Sequence, residues 1–268
     1  MRIVRFEDPT GSLRFARLLP DGEASLLEGD LPGPLRDTGH RVTPGPLRAP
    51  LMPAAILGIG LNYRDHALET GQPLPPRPVL FMKNPAAVWH PEAPILLRQE
   101  FVERPEVDFE GELAVVIGAA ARDLSEDKAL RHVLGYTIAN DVSARRVQKE
   151  AGGGQWVRGK SYDTFCPLGP MLVTADEIPD PQALRITTRL NGRVMQDTPT
   201  SEMIFSVAQL IADLSQGTTL LPGTVILTGT PAGVGFAREP RVFLEPGDLV
   251  EIDIPGLGTL RNPVQALS

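Results

Sequence analysis

The chain has a single cysteine, Cys166, among its 268 residues. That excludes an intrachain disulfide and any metal site built from clustered thiolates. It has no apolar run long enough to cross a bilayer. Its first residues, Met1 to Asp8, lack the apolar stretch of a secretory leader. Lysine is scarce, standing only at Lys83, Lys128, Lys149 and Lys160, whereas arginine is abundant. Genomic base composition accounts for such a bias, yet each lysine is worth following, because the two cations differ in shape and in how readily they lose a proton. Positive charge is in deficit overall, with a formal net charge of −7. Phosphate backbones call for a basic surface, so nucleic acid is not an expected partner. The 42% hydrophobic content is that of a soluble globular protein, and these features together predict a cytoplasmic protein with no membrane partner.

Residues 1–52 predict a small β-rich domain and linker, and residues 53–268 a main domain. Ile3 to Phe6, Arg14 to Leu19 and Ala24 to Leu27 are short strand candidates parted by Gly11 and the Asp21-Gly22 turn. A Pro/Gly-rich connector runs from Pro32 to Pro53. Further strands are expected at Ala55 to Gly60, Pro78 to Met82, Leu113 to Ile117, Gly135 to Ala139, Met171 to Val173, Leu184 to Leu190, Thr224 to Thr228 and Leu249 to Ile254. Apolar residues three and four apart predict a helix from Ser201 to Leu214, and Ser125 to Leu134 reads as another with Ser125 as N-cap. Strands outnumber helices and are joined by turns, which predicts a β-rich α+β fold.

The most informative run is Val107 to Gly118, an apolar, β-branched stretch opened by Glu110 and Glu112. Residues i and i+2 of a strand share a face, so the two carboxylates project side by side. Like charges beside an apolar strand are costly unless a cation or a proton sits between them. Oxygen ligands point to Mg²⁺ or Mn²⁺. The strand Gly135 to Ala139 ends in Asn140-Asp141. Asp141 either completes a three-carboxylate cation site or serves as a turn or cap residue.

His66 and Glu69 stand three apart in a short helical segment. A carboxylate beside imidazole suits a general base; a plain surface ion pair has the same spacing. Leu227 to Gly235 is a small-residue loop whose N–H groups and Thr230 hydroxyl suit a substrate carboxylate, or which is simply a tight turn. Two motifs are set aside. Gly154 to Ser161 matches the phosphate-loop pattern letter for letter, but the motif works only between a buried strand and a helix. Here polar, flexible residues precede it and two prolines follow. Gly58-Ile59-Gly60 lacks the third glycine of a dinucleotide fingerprint, Tyr63 standing in its place. Cys166 reads as a small buried apolar residue.

Taken together, Asn62-Tyr63-x-x-His66-x-x-Glu69, Glu110-x-Glu112-Leu113-Ala114-Val115-Val116, Ile138-x-Asn140-Asp141-Val142-Ser143-Ala144-Arg145, Gly159-Lys160-Ser161-x-Asp163-Thr164-Phe165 and Leu227-Thr228-Gly229-Thr230-Pro231-x-Gly233-Val234-Gly235 resemble the fumarylacetoacetate hydrolase family. The resemblance runs from about Ala55 to Val264. It implies a mixed β-sandwich roll and a homodimer. It implies Glu110, Glu112 and Asp141 as ligands of a metal, usually Mg²⁺, with Lys160 facing the substrate and His66 and Glu69 as the dyad that activates water. Arg145, Gln148, Gly229 and Thr230 fall where the family binds substrate. No aspartate lies in Gly58 to Tyr63, where longer animal-type members carry a further ligand, so the chain resembles the shorter bacterial branch. The implied substrate is a 2-oxo or 2,4-dioxo acid from aromatic-compound breakdown. Hydrolytic C–C cleavage of an acylpyruvate through an enolate is expected first. Isomerisation of 2-hydroxyhepta-2,4-diene-1,7-dioate and decarboxylation are the alternatives, and a nucleotide-binding protein using residues 154–161 is the remaining one.

Overall fold

Both alternations of the strand Gly111–Ile117 are buried. Leu113, Val115 and Ile117 face one apolar cluster with Ile138, Ile186, Ile252 and Leu260. Ala114 and Val116 face another with Ala139, Leu168, Val225 and Leu227. A strand that feeds two cores has to be central. It pairs antiparallel with Val133–Asn140 on one side and Val225–Leu227 on the other. The computed structural model describes residues 1–151 and 153–267.

The large sheet runs, edge to edge, Leu35–Val42, Ala24–Gly29, Leu13–Leu18, Arg2–Glu7, Cys166–Thr174, Val133–Asn140, Gly111–Ile117, Val225–Leu227, Ile56–Gly60 and Val79–Lys83. Its pairing is mixed: Val225–Leu227 lies parallel to Ile56–Gly60, whereas the other neighbours along this path are antiparallel. A second sheet runs Arg193–Pro199, Arg185–Leu190, Leu249–Ile254, Gly258–Ala266 and Ile95–Leu97. Its central strands pack on Gly111–Ile117 and Val133–Asn140, so the larger core lies between two sheet layers. The fold is mostly β with short helices, as the strand-rich pattern predicts.

The N-terminal strands continue the large sheet, because Arg2–Glu7 pairs with Cys166–Thr174. Three local expectations are corrected. The connector from Pro32 to Pro53 contains the strands Leu35–Val42 and Leu47–Arg48; the first is an edge strand with mostly exposed side chains, so no apolar alternation marks it. The helix expected from Ser201 is confined to Val207–Leu214. There Ser206 and Gln209 form a reciprocal capping box, while Met203 instead bridges to Tyr63. The segment after Ser125 is helical only to His132, and Val133 opens the next strand.

Candidate active site

Strand register assembles the acidic cluster. Glu112 lies opposite Ala139 and Gly111 opposite Asn140. One step further sets Glu110 across from Asp141, whose N–H donates to the Glu110 carbonyl at 2.9 Å. The Asn140 side-chain oxygen accepts the Glu110 N–H at 3.0 Å and holds this irregular corner. Glu110, Glu112 and Asp141 are buried, and each brings a carboxylate oxygen within 4.8 Å of the others.

Three buried cations answer them. Lys160 ends the short helix Trp156–Lys160. Its Nζ donates to Glu110 Oε2 at 2.9 Å, Asp141 Oδ2 at 2.6 Å and Ser143 Oγ at 2.7 Å. That helix packs closely on Arg145–Lys149 because Gly159 has no side chain; a Cβ there would stand 2.7 Å from the Gln148 nitrogen. Lys83, from the strand Val79–Lys83, donates to Asp141 Oδ1 at 2.5 Å and to the Val142 carbonyl at 3.2 Å. Arg145 Nη1 reaches Glu110 Oε1 at 2.6 Å, and its Nε and Nη2 clasp Asp108 Oδ2 at 2.9 and 2.7 Å. Asp108 also accepts the N–H groups of Gly235 and Phe236 at 2.8 and 3.0 Å. It thereby ties the loop after Val234 to the site.

Asp108, Glu110, Glu112 and Asp141 thus face Lys83, Arg145 and Lys160, one positive charge short. The shortfall falls on Glu112. It has no ion pair among the described residues, and its Oε2 accepts the Gly229 N–H at 2.7 Å. Burial, with Asp141 and Glu110 beside it, pushes the Glu112 carboxyl well above the usual range. Burial also opposes ionisation of Glu110, but Lys160 and Arg145 outweigh it and hold that carboxyl low. An all-oxygen donor set with excess negative charge fits a hard divalent cation, which would hold Glu112 ionised. Such an ion would be held by Glu110, Glu112 and Asp141.

The helix Arg64–Glu69 supplies the second part. His66 is buried, and its Nδ1 lies 3.3 Å from Glu69 Oε2. Glu69 Oε1 accepts the Gly233 N–H at 2.9 Å. The pair is therefore fixed by the loop after Leu227 and is not a solvated surface pair. Asn62 anchors the start of this segment by donating to the carbonyls of Phe205 and Thr228 at 3.0 and 2.8 Å. A cavity of about 260 Å³ opens between the two parts, lined by His66, Glu110, Arg145, Gln148, Lys160 and Thr230, with Phe81, Trp156 and Phe236 as aromatic walls. Gly58 makes room for one wall, since a Cβ there would stand 2.2 Å from the Phe81 ring.

Buried carboxylates fit for a divalent ion, a lysine and an oriented imidazole around one small cavity define an enzyme's site. The chain belongs to the fumarylacetoacetate hydrolase family: its residues 55–265 match the family's C-terminal domain, described as "Fumarylacetoacetate (FAA) hydrolase C-terminal". It is 44% identical over 260 residues to a mitochondrial oxaloacetate tautomerase of Xenopus laevis, covering 96% of this chain and 80% of that one. It is 47% identical over 210 residues to a 2,4-didehydro-3-deoxy-L-rhamnonate hydrolase of Sphingomonas sp. (strain SKA58), covering 78% of this chain and 72% of that one. A solved 2-hydroxyhepta-2,4-diene-1,7-dioate isomerase of Mycobacterium marinum superposes with a TM-score of 0.83 at 39% identity, over 99% of this chain and 98% of that one. The protein is an enzyme of this family, whose members include hydrolases, isomerases and tautomerases.

Of the residues singled out from sequence, His66, Glu110, Arg145, Gln148, Lys160 and Thr230 line the cavity. Glu112, Asp141 and Glu69 back onto it through the contacts above. The Gly229 N–H is directed at Glu112. The Thr230 hydroxyl donates to the Gly111 carbonyl at 3.0 Å and accepts from Gln196 at 2.7 Å. The lysine of the phosphate-loop lookalike is Lys160, whose ammonium is engaged by Glu110 and Asp141. Sequence reasoning missed Lys83, Asp108 and Gln196. The scarcity of lysine was the one signal for Lys83; Asp108 carried none beyond its place beside Glu110.

Proposed function

We propose that this chain moves a proton at the carbon beside the carbonyl of a 2-oxo acid, interconverting keto and enol forms in a divalent-metal-dependent reaction. The observation that carries this reading is the convergence of His66, Lys160 and Glu110 on one cavity of about 260 Å³. That volume lies just below the usual range for ligand pockets, roughly 300–1,000 Å³, and suits a short acid. Bound among Glu110, Glu112 and Asp141, Mg²⁺ or its equivalent Mn²⁺ would supply a Lewis acid for the substrate's oxygens.

The chain's own groups do the rest. Glu69 accepts the Nδ1–H of His66, which leaves Nε2 as the base. Lys160 carries a full positive charge: burial works against it, but Asp141 and Glu110 raise its pKa. It offsets negative charge developing on the 2-oxo oxygen. Arg145 and Gln148 stand on one face of their helix, three residues apart, to orient the substrate carboxylate. Thr230 lines the same cavity, and the Gly229 N–H steadies Glu112 behind it.

Hydrolytic cleavage of a 2,4-dioxo acid such as an acylpyruvate is the second reading. The His66–Glu69 pair favours it, since the same base serves if it takes its proton from water instead of carbon. Isomerisation begins with the same proton abstraction, whereas decarboxylation reaches an enolate by breaking the bond to the departing CO₂. NMR in D₂O with Mg²⁺, oxaloacetate and acetylpyruvate separates these readings. Deuterium entering C3 of oxaloacetate faster than without enzyme is expected. Absence of exchange, with pyruvate and acetate released from acetylpyruvate, would overturn the first reading for the second.

We further propose a cytoplasmic homodimer acting in aromatic-compound breakdown. The edge strand Val79–Lys83 exposes Leu80 and Met82, an apolar edge of the kind proteins cover by association. Sedimentation at micromolar concentration tests the dimer; a monomer would refute it.

A further inference from the structure

Around Phe236, at the cavity, stands positive charge with no carboxylate partner among the described residues. Phe236 lines the cavity, and three cations gather on its ring. Lys149 Nζ lies 3.9 Å from the ring centroid, Arg241 Cζ 4.5 Å and Arg145 Cζ 5.9 Å. Arg145 is paired with Asp108 and Glu110. Lys149 and Arg241 have no ion pair and no side-chain hydrogen bond among the described residues. Like charges brought onto one ring repel, and the ring's quadrupole offsets only part of that. Burial, Arg145 and Arg241 depress the Lys149 ammonium, while Glu110 and Asp108 pull the other way.

Lys149 lies on the same helix as Arg145 and Gln148, at the i+4 position from Arg145, and lines the same cavity. One helix face therefore carries groups for the 2-oxo end of a substrate and, one turn further along, a cation with no ion-pair partner among the described residues. We infer that Lys149 and Arg241, seated on Phe236, form an anion subsite for the distal carboxylate of a 2-oxo dicarboxylate, so that the enzyme selects diacids over monoacids. The inference rests on the proposed function only for what occupies the inner end of the cavity.

Malate and lactate test it. They differ by the distal carboxylate, and neither has a 2-oxo group to enolise, so binding is read apart from turnover. With Mg²⁺ present, calorimetry is expected to give about tenfold tighter binding of malate, the size of one charge-assisted contact. Lys149→Met should bring the malate-to-lactate ratio close to one and leave lactate affinity unchanged, and Arg241→Met should lower the ratio in part. Equal affinities in the unaltered protein would overturn the inference, as would a Lys149→Met variant that loses lactate as much as malate. Malate preference without deuterium exchange into oxaloacetate keeps the subsite and removes the enolisation reading; exchange without malate preference does the reverse.

Discussion

Lys83 is the residue whose replacement should cost the fold most for the fewest atoms. Its ammonium and the Asp141 carboxylate are both fully buried, 2.5 Å apart. Lys83→Met keeps the apolar stem and removes the charge. Asp141 Oδ1 then loses its cation, while Oδ2 keeps only Lys160. Breaking one side of a buried pair costs about 3–5 kcal/mol, because a charge is left without compensation. For a chain of this size each kcal/mol moves the midpoint by roughly 2–4 °C, so a fall of about 10 °C is expected on thermal unfolding followed by circular dichroism in EDTA. Adding Asp141→Asn removes the stranded charge, and the double variant should unfold above Lys83→Met alone. Mg²⁺ should raise the midpoint of Lys83→Met more than that of the unaltered protein, since the ion takes over part of the lysine's work. A Lys83→Met variant unfolding within about 1 kcal/mol of the parent, with no gain from Asp141→Asn, would show that the acidic cluster is not balanced as described.

The other predictions probe the remaining parts. His66→Ala should lower turnover by about 10²–10⁴-fold while Mn²⁺ affinity, read by electron paramagnetic resonance, stays within a factor of two or so; unchanged turnover would exclude His66 as the base. Glu110→Ala should abolish both the Mn²⁺ signal of the bound ion and activity, and full activity in the presence of chelator would refute its assignment as a ligand. Burial pushes the Cys166 thiol up to about 12, so it stays neutral below that pH and becomes a thiolate only as the pH rises through it. Iodoacetamide at pH 8 should leave the folded chain unlabelled by mass spectrometry; rapid alkylation would show that the strand it opens is not closed to solvent.

The acidic triad was legible because its signal is local: two glutamates one residue apart in an apolar strand, and an aspartate at a strand tip. The His66–Glu69 spacing was equally local. Asp108 was not legible, because its role appears only when the turn at Gly235 and the helix beginning at Arg145 converge on it from 127 and 37 residues away. The strand Leu35–Val42 was hidden by its own position, since a sheet edge imposes no apolar alternation. Lysine scarcity proved a better guide than any single lysine's neighbours. Lys83 and Lys160 are buried against Asp141, and Lys149 lines the cavity.

The pairing of Arg2–Glu7 with Cys166–Thr174 has a practical consequence for shortening the polypeptide. The match to the family's C-terminal domain begins at residue 55, an inviting place to start a trimmed version. Such a version would strip Ile3, Phe15 and Leu27 from the cluster they share with Ala139, Leu168 and Leu172. It would also leave the backbone of Arg2's partner, Val173, as a bare template for sticky self-pairing. The leading fifty residues act as a selvedge, finishing an edge that would otherwise fray into aggregates two strands away from Glu112.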